Sequence, residues 1–454
     1  MTRKSLSIAL VNTPLRYLVT KTRCTCILKT QWRPCLILLI FSIDQSILQA
    51  MLRLQAYKFH ILPNGEQQRA MRRFAGNARK VWNLALARQQ EKHALGEKFT
   101  NAFGMSAWLL EWKKEYPFLV ESPSQTLQQV MGNLQSGFKN FFEKRAAHPE
   151  FKKKGKSSDS VRFPQGFEID AKNNRIKLPK LGWIRYRNSR DILGTPKNIT
   201  VSCVAGKWYA AIQTEREVED VRHPASTSVG IDVGIARFAT LSDGSHIEPL
   251  NSFKKHQARL ARYQRAMARK VKFSSNWKKA KAKVTKLHQK IGHVRQDFLH
   301  KTSTILSKNH ALIVIEDLKV RNMSRSASGT KAVPGRSVRA KSGLNRSILD
   351  QGWGEFRRQL EYKQARSGGD VLAVNPRNTS RTCPACGHVS AENRRTQARF
   401  ACVECGYENN ADVVGAINIL ERGHRLLACG EVAEVRRSVK QEPTEATTGE
   451  LALV

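Results

Sequence analysis

The sequence predicts a multidomain α/β protein, and three observations carry that prediction. Short alternating strand segments flank a helical block, which points to an N-terminal β-barrel with a helical bundle inserted into it. Further on, buried-strand patterns close on acidic residues, as in a sheet that gathers carboxylates at one edge. Near the C-terminus, two Cys-x-x-Cys pairs point to a zinc ribbon inserted ahead of the last helix.

Composition sets the bounds. The 454 residues suffice for two or three domains, and 41% hydrophobic content allows a sizeable core. Lys+Arg number 78 against Asp+Glu 37, a net charge of +41. Such a chain repels itself unless a polyanion neutralises it, and nucleic acid is the partner class that fits. An anionic membrane is the rival polyanion, but no stretch reaches the roughly twenty apolar residues needed to span one. Basic composition alone also suits ribosomal-type scaffolding; acidic residues at strand ends argue against it.

Residues 1–50 carry Cys24, Cys26 and Cys35 and no sustained period. The apolar run Leu36 to Phe41 is too short to span a membrane and too far from the N-terminus for a signal peptide. At Met51 the pattern becomes that of a half-buried strand, through Tyr57, Phe59 and Ile61. We therefore expect residues 1–50 to be upstream or disordered sequence, with translation starting at Met51.

After Pro63-Asn-Gly65, Met71, Phe74, Ala78, Val81 and Trp82 share one helical face, and Leu127, Val130, Leu134, Phe138 and Phe141 share another. Arg69, Arg72, Arg73, Arg79 and Lys80 decorate the first helix, an outer face suited to phosphates. A basic linker at 151–156 leads to predicted strands at 175–178, 183–186, 199–204 and 208–214. Residues 51–62 and 150–220 then make the barrel, with 63–149 as the helical insert.

A composition break at 218–228 opens the second domain. Val229-Gly-Ile-Asp232-Val-Gly234, Phe238 to Leu241 and Asp243-Gly244 read as strand, Asp, hairpin, strand. A basic helical pair follows, with Leu260, Tyr263 and Met267 on one arm and Val284, Leu287, Ile291, Val294 and Phe298 on the other. Between Lys254 and Lys301 only Asp297 is acidic. Ala311 to Ile315 is a buried strand delivering Glu316 and Asp317 at its end. A mobile loop from Arg321 to Ser342 is expected next, then one helix from Ile348 to about Ala365, then a strand at 371–374.

Cys383-Pro-Ala-Cys386 and Cys402-Val-Glu-Cys405 are separated by fifteen residues, and Gly387 and Gly406 follow the second Cys of each pair where the backbone turns sharply. Four thiolates at this spacing can surround one Zn²⁺. Disulfides or buried thiols fit so regular a spacing poorly, and a chain this rich in Lys and Arg reads as intracellular.

Asp232, Glu316 and Asp412 each have an ordinary explanation as turn, strand-end cap and helix N-cap. Together, strand–Asp, strand–Glu and helix–Asp match an RNase H-like sheet. Carboxylates gathered at one edge of such a sheet can hold two divalent metals about 4 Å apart, and hard Mg²⁺ or Mn²⁺ suits their oxygens.

The chain resembles the transposon-encoded TnpB (OrfB) family, relatives of the type V CRISPR effectors, from Met51 to about Gly423. The marks are Gly230-Ile-Asp232-Val-Gly234, Ile313-Val-Ile-Glu316-Asp-Leu318, Leu344 to Ile348 with Gly352-Trp353, Asn375-Pro-Arg-Asn-Thr379-Ser380 running into the first Cys pair, and Asn410-Ala-Asp412 to Asn418. The resemblance implies a RuvC-like nuclease domain (226–375 and 411–423) with Asp232, Glu316 and Asp412 as catalytic, magnesium-binding residues. It implies a zinc ribbon (376–410) held by Cys383, Cys386, Cys402 and Cys405, and a wedge barrel with a helical recognition block ahead of it. It further implies a transposon-end guide RNA, double-stranded target DNA cut beside a short motif, and a prokaryotic cytoplasmic setting at the nucleoid. Residues 1–50 have no counterpart, and 424–454 are expected to be a disordered tail. Two other functions fit the same residues: a non-catalytic RNA- and DNA-binding regulator, and a strand-transferring DNA transposase.

Overall fold

A computed structural model describes residues 51–155, 159–219, 221–330 and 332–429. The expectations for residues 1–50 and for the tail beyond 429 lie outside the described residues.

Strand β1 (Met51–Leu62) enters first. Its odd positions Tyr57, Phe59 and Ile61 are buried, whereas Leu52 and Leu54 face outward. Helix α1 (Gly65–Ala94) starts at a capping box in which Asn64 and Gln67 satisfy each other's backbone N–H. Then come α2 (Ala102–Glu115), a short 3₁₀ turn and α3 (Ser124–Phe142). The strands β2 (Ser160–Phe163), β3 (Glu168–Asp170), β4 (Arg175–Leu178), β5 (Gly182–Tyr186), β6 (Thr195–Val204) and β7 (Lys207–Val218) follow. All join β1 in one antiparallel sheet, ordered β2-β6-β7-β1-β5-β4-β3. Helix α1 bridges two cores. Ala70, Met71, Phe74 and Ala75 pack on the sheet, while Val81, Trp82, Ala85 and Leu86 pack against α2 and α3. Phe141, expected inside, is 37% exposed in the last turn of α3.

The second half begins with β8 (Ser228–Asp232), β9 (Ala239–Leu241) and β10 (His246–Ile247), followed by the hairpin of α4 (Ser252–Ala268) and α5 (Ser275–Asn309). Leu260, Val284, Leu287 and Ile291 form the seam of that hairpin, but Val294 lies 38% exposed outside it. Next are β11 (Leu312–Glu316), α6 (Val320–Met323), α7 (Val338–Gln351), α8 (Trp353–Ser367) and β12 (Asp370–Val374). The sheet order is β10-β9-β8-β11-β12, with β8, β11 and β12 parallel. The chain continues through the small hairpin of β13 (Arg399–Ala401) and β14 (Glu408–Asn410) into α9 (Ala411–Ala428).

Strand β11 shows why the sheet is covered on both faces. Ile313 and Ile315 join Leu299, Phe356 and Leu360 on one side, and Val314 joins Ile419 of α9 on the other. Three further expectations need correction. The single helix expected from Ile348 is two, because Gly352 sits at φ 76° and breaks the backbone between α7 and α8. The loop expected from Arg321 to Ser342 has helix at both ends, in α6 and α7. The tail expected from His424 is helical through Ala428, and His424 Nε2 lies 3.1 Å from Ser228 Oγ.

Candidate active site and metal centre

Asp232 ends β8, Glu316 ends the neighbouring parallel strand β11, and Asp412 stands in the first turn of α9. Parallel strands end on the same edge, so β8 and β11 deliver their carboxylates side by side. Helix α9 reaches that edge because glycines let it lie flush on the sheet. A Cβ on Gly230 would sit 2.2 Å from the Ala416 carbonyl oxygen, and one on Gly423 would sit 2.4 Å from a Val314 methyl. A Cβ on Gly415 would come within 3.0 Å of Asp232 Oδ2.

Asp412 does not cap its own helix, so the ordinary explanation of an acid at a helix start does not account for it. Asn410 takes the N-cap, accepting from the backbone N–H of Asp412 and Val413. The Asp412 carboxylate is thereby released to Arg394, whose Nη2 donates to Oδ1 at 3.1 Å. Glu316 Oε1 accepts the Thr379 hydroxyl at 2.6 Å. Its neighbour Asp317 points elsewhere and is held by Arg357 at 2.6 Å.

Burial, with Glu316 and Asp412 nearby, pushes the Asp232 carboxyl up to about 7, opposed by Arg394. Burial also raises Glu316, against the Thr379 hydrogen bond and Arg422. These are carboxylate oxygens brought to one sheet edge at partial burial, the donor type that hard divalent cations select. They are not drawn together as tightly as the cysteines: among the described residues, only the four-cysteine cluster has all its ligand atoms within 4.8 Å of one another.

That cluster is Cys383, Cys386, Cys402 and Cys405. Sγ of Cys383 lies 3.6 Å from Sγ of Cys405, and Sγ of Cys386 lies 3.7 Å from Sγ of Cys402. A tetrahedron built on Zn–S bonds of about 2.3 Å has edges of about 3.8 Å, so the thiols fit Zn²⁺. Gly387 and Gly406 occupy left-handed φ of 77° and 72°, where each knuckle turns. Backbone N–H groups of Cys405 and Glu404 lower the Cys402 thiol, whereas desolvation and the neighbouring thiols raise Cys386 and Cys405, so the cluster holds protons that a metal ion would displace. Asn393 ties the knuckles together, donating to the Arg381 and His388 carbonyls and accepting from Val403 N–H.

Sequence reasoning missed Arg394, Thr379, Asn418 and Arg422. Thr379 and Asn418 stood inside stretches already singled out, yet nothing marked their side chains. Arg394 is one of two adjacent arginines between the knuckles, and its aim at Asp412 is a tertiary fact.

Three family profiles match the chain: one described as "Probable transposase" over residues 211–327, a Cas12f1-like TNB domain over 353–419, and a helix-turn-helix domain over 51–98. InsQ of Escherichia coli (strain K12), which carries the name RNA-guided DNA endonuclease, is 58% identical over 397 residues, covering 87% of this chain and 98% of that protein. A protein of the same name from Streptomyces pristinaespiralis is 35% identical over 413 residues, covering 87% and 98%. Among solved structures, the complex of Cas12f1 with sgRNA and target DNA covers 81% of this chain and 99% of its own, at 16% identity and a TM-score of 0.30.

Proposed function

This chain belongs to the TnpB (OrfB) family of RNA-guided DNA endonucleases, and from that membership we propose that it cuts DNA with Asp232, Glu316 and Asp412 under the direction of a bound RNA. The observation that carries the assignment of residues is the convergence of β8, β11 and α9 on one sheet edge, with Asp232 pushed up to about 7.

On this reading the second sheet with α9 is a RuvC-like nuclease domain, and the N-terminal sheet is the wedge barrel into which the helical block is inserted. Asp232, Glu316 and Asp412 would hold Mg²⁺ or Mn²⁺, and Cys383, Cys386, Cys402 and Cys405 would hold a structural Zn²⁺. Bound divalent ions at such a site activate water and steady the leaving oxygen of a phosphodiester. The chain's own residues do the rest. Burial and the neighbouring acids make Asp232 a reluctant carboxylate, and added positive charge would favour its ionised form. Arg394 brings a cation to Asp412 from the ribbon, and Thr379 fixes one oxygen of Glu316. Asp317 is engaged by Arg357 and stays outside the set.

The guide is a transposon-end RNA, held with its DNA heteroduplex through backbone shape by a surface of net charge +41. The setting is the prokaryotic cytoplasm, at the nucleoid. Among the described residues, no helix is long and apolar enough to cross a membrane.

The test is purification of the chain from cells expressing its flanking transposon end, sequencing of the co-purified RNA, and incubation with Mg²⁺ and a plasmid library bearing guide-matched targets beside randomised flanks. A defined RNA with double-strand breaks lost in Asp232→Ala supports the nuclease. A defined RNA without cleavage favours a binding regulator, and joined donor–target products favour a transposase.

A further inference from the structure

The segment leaving β12 toward the ribbon is an arch, residues 375–382, gripped from one side by α9. Arg422 Nη1 donates to the carbonyls of Asn375 and Arg377, each at 2.7 Å. Asn418 spends its amide group on the carbonyls of Thr379 and Thr382, at 2.8 and 2.7 Å. Both Asn418 and Thr379 are buried, at 6% and 4% exposure. The arch is therefore fixed at four carbonyls, and its last pinned residue precedes Cys383.

Thr379 has one hydroxyl proton and two acceptors in reach, the Pro376 carbonyl at 3.1 Å and Glu316 Oε1 at 2.6 Å. The shorter, charge-assisted bond takes the proton. We propose that Thr379 is a positioning residue for the nuclease reaction, aiming the Glu316 carboxylate for its divalent metal, and that Asn418 holds Thr379 in place. The terminal torsion of a Glu is broad and roughly two-fold, so a carboxylate without a fixed partner samples orientations that present different oxygens. Thr379 removes that freedom by engaging Oε1, so that Oε2 would be the oxygen left for a metal ion. Because α9 carries both Asp412 and Asn418, one helix sets two of the three carboxylates, one directly and one through the arch. This inference rests on Glu316 being a metal ligand.

The experiment compares wild type, Thr379→Val, Thr379→Ser and Asp232→Ala as full-length complexes with guide RNA. Cleavage rates are measured against Mg²⁺ concentration, alongside RNA and target-DNA binding. Thr379→Val keeps the shape and removes the hydroxyl. It should raise the Mg²⁺ needed for half-maximal rate, or lower the maximal rate, by about 10–100-fold with both binding affinities unchanged. Thr379→Ser restores the donor and should cut within a few-fold of wild type. Equal rates and metal dependence in Thr379→Val, with Asp232→Ala inactive, would overturn the positioning role while leaving the nuclease intact. Cleavage that persists in Asp232→Ala would instead remove the reading beneath it. Serine failing as badly as valine would also overturn the proposal, since packing rather than the hydroxyl would then matter.

Discussion

Replacing Asp232 by Asn should stabilise the metal-free chain above neutral pH while abolishing cleavage. The carboxyl is raised from 3.8 to about 7 by burial and by Glu316 and Asp412. A raised acid binds its proton more tightly in the folded chain than in the unfolded one. Wild-type stability from this group is therefore fully present below about pH 4, falls as pH climbs toward 7, and stays low above that. At about 1.4 kcal/mol per tenfold in proton affinity, the loss has a ceiling of roughly 4 kcal/mol. Relaxation and water entry reduce it, and about half surviving would correspond to some 4–8 °C in Tm for a nuclease domain of this size. Asparagine is near-isosteric and never ionises, so it escapes the loss. The assay is thermal unfolding of both full-length chains, zinc retained and Mg²⁺ omitted, at about pH 5 and about pH 8. The gap in favour of Asp232→Asn should open at the higher pH, and added Mg²⁺ should close it by raising the wild type alone. Equal Tm values at both pH values, or a gap that widens in acid, would refute the electrostatic account of the site.

Two further outcomes follow from geometry. Cys383→Ser should remove bound zinc and, with it, the mounting of the arch and of Arg394. Metal analysis should show less than one zinc per chain and cleavage should collapse, whereas a variant keeping its zinc and its cutting would speak against a structural ribbon. Gly230→Ala places a Cβ 2.2 Å from the Ala416 carbonyl, so α9 must lift from β8. The expected cost is about 1–3 kcal/mol in unfolding, with slower cleavage at saturating metal, and wild-type rates in a destabilised variant would show that Asp412 does not depend on that close approach.

Much of the fold was legible because period and composition report it. The continuous apolar run from Ala311 to Ile315 marked β11, and the three–four spacing of Val284, Leu287 and Ile291 marked the hairpin seam. What period could not give was phase and continuity. Strand β1 buries its odd positions, so Arg53 stands directly opposite Arg216 on β7 and Leu52 faces outward, a choice made by the sheet it joins. The pattern from Ile348 ran on helically across Gly352, and only a positive φ divides α7 from α8. The ordinary reading of an acid opening a helix, an N-cap, does not apply to Asp412: Asn410 takes that place, because an N-cap depends on which residue leaves the helix first.

The candidate site was legible at its carboxylates and thiols and illegible in what aims them. Residue type announces an acid at a strand end; it does not announce that Arg394, from a ribbon loop, will meet Asp412, or that Thr379 will meet Glu316. One signal was available in α9. Gly415, Ile419 and Gly423 recur at four-residue spacing, and two glycines on the apolar face of a helix are unfavourable for the helix itself. Their cost of about 1 kcal/mol each is offset where the sheet leaves no room for a side chain: a Cβ on Gly423 would meet the Val314 side chain at 2.4 Å and one on Gly415 the Asp232 carboxyl at 3.0 Å, while strand residue Gly230 meets the Ala416 carbonyl. On the adjacent face, Asn418 and Arg422, also four apart, grip the arch. A helix with glycines on one stripe and N–H donors to the arch's carbonyls on the next is a clamp between a sheet and a loop. The position of the third carboxylate is then set by backbone approach, not by its own polar contacts.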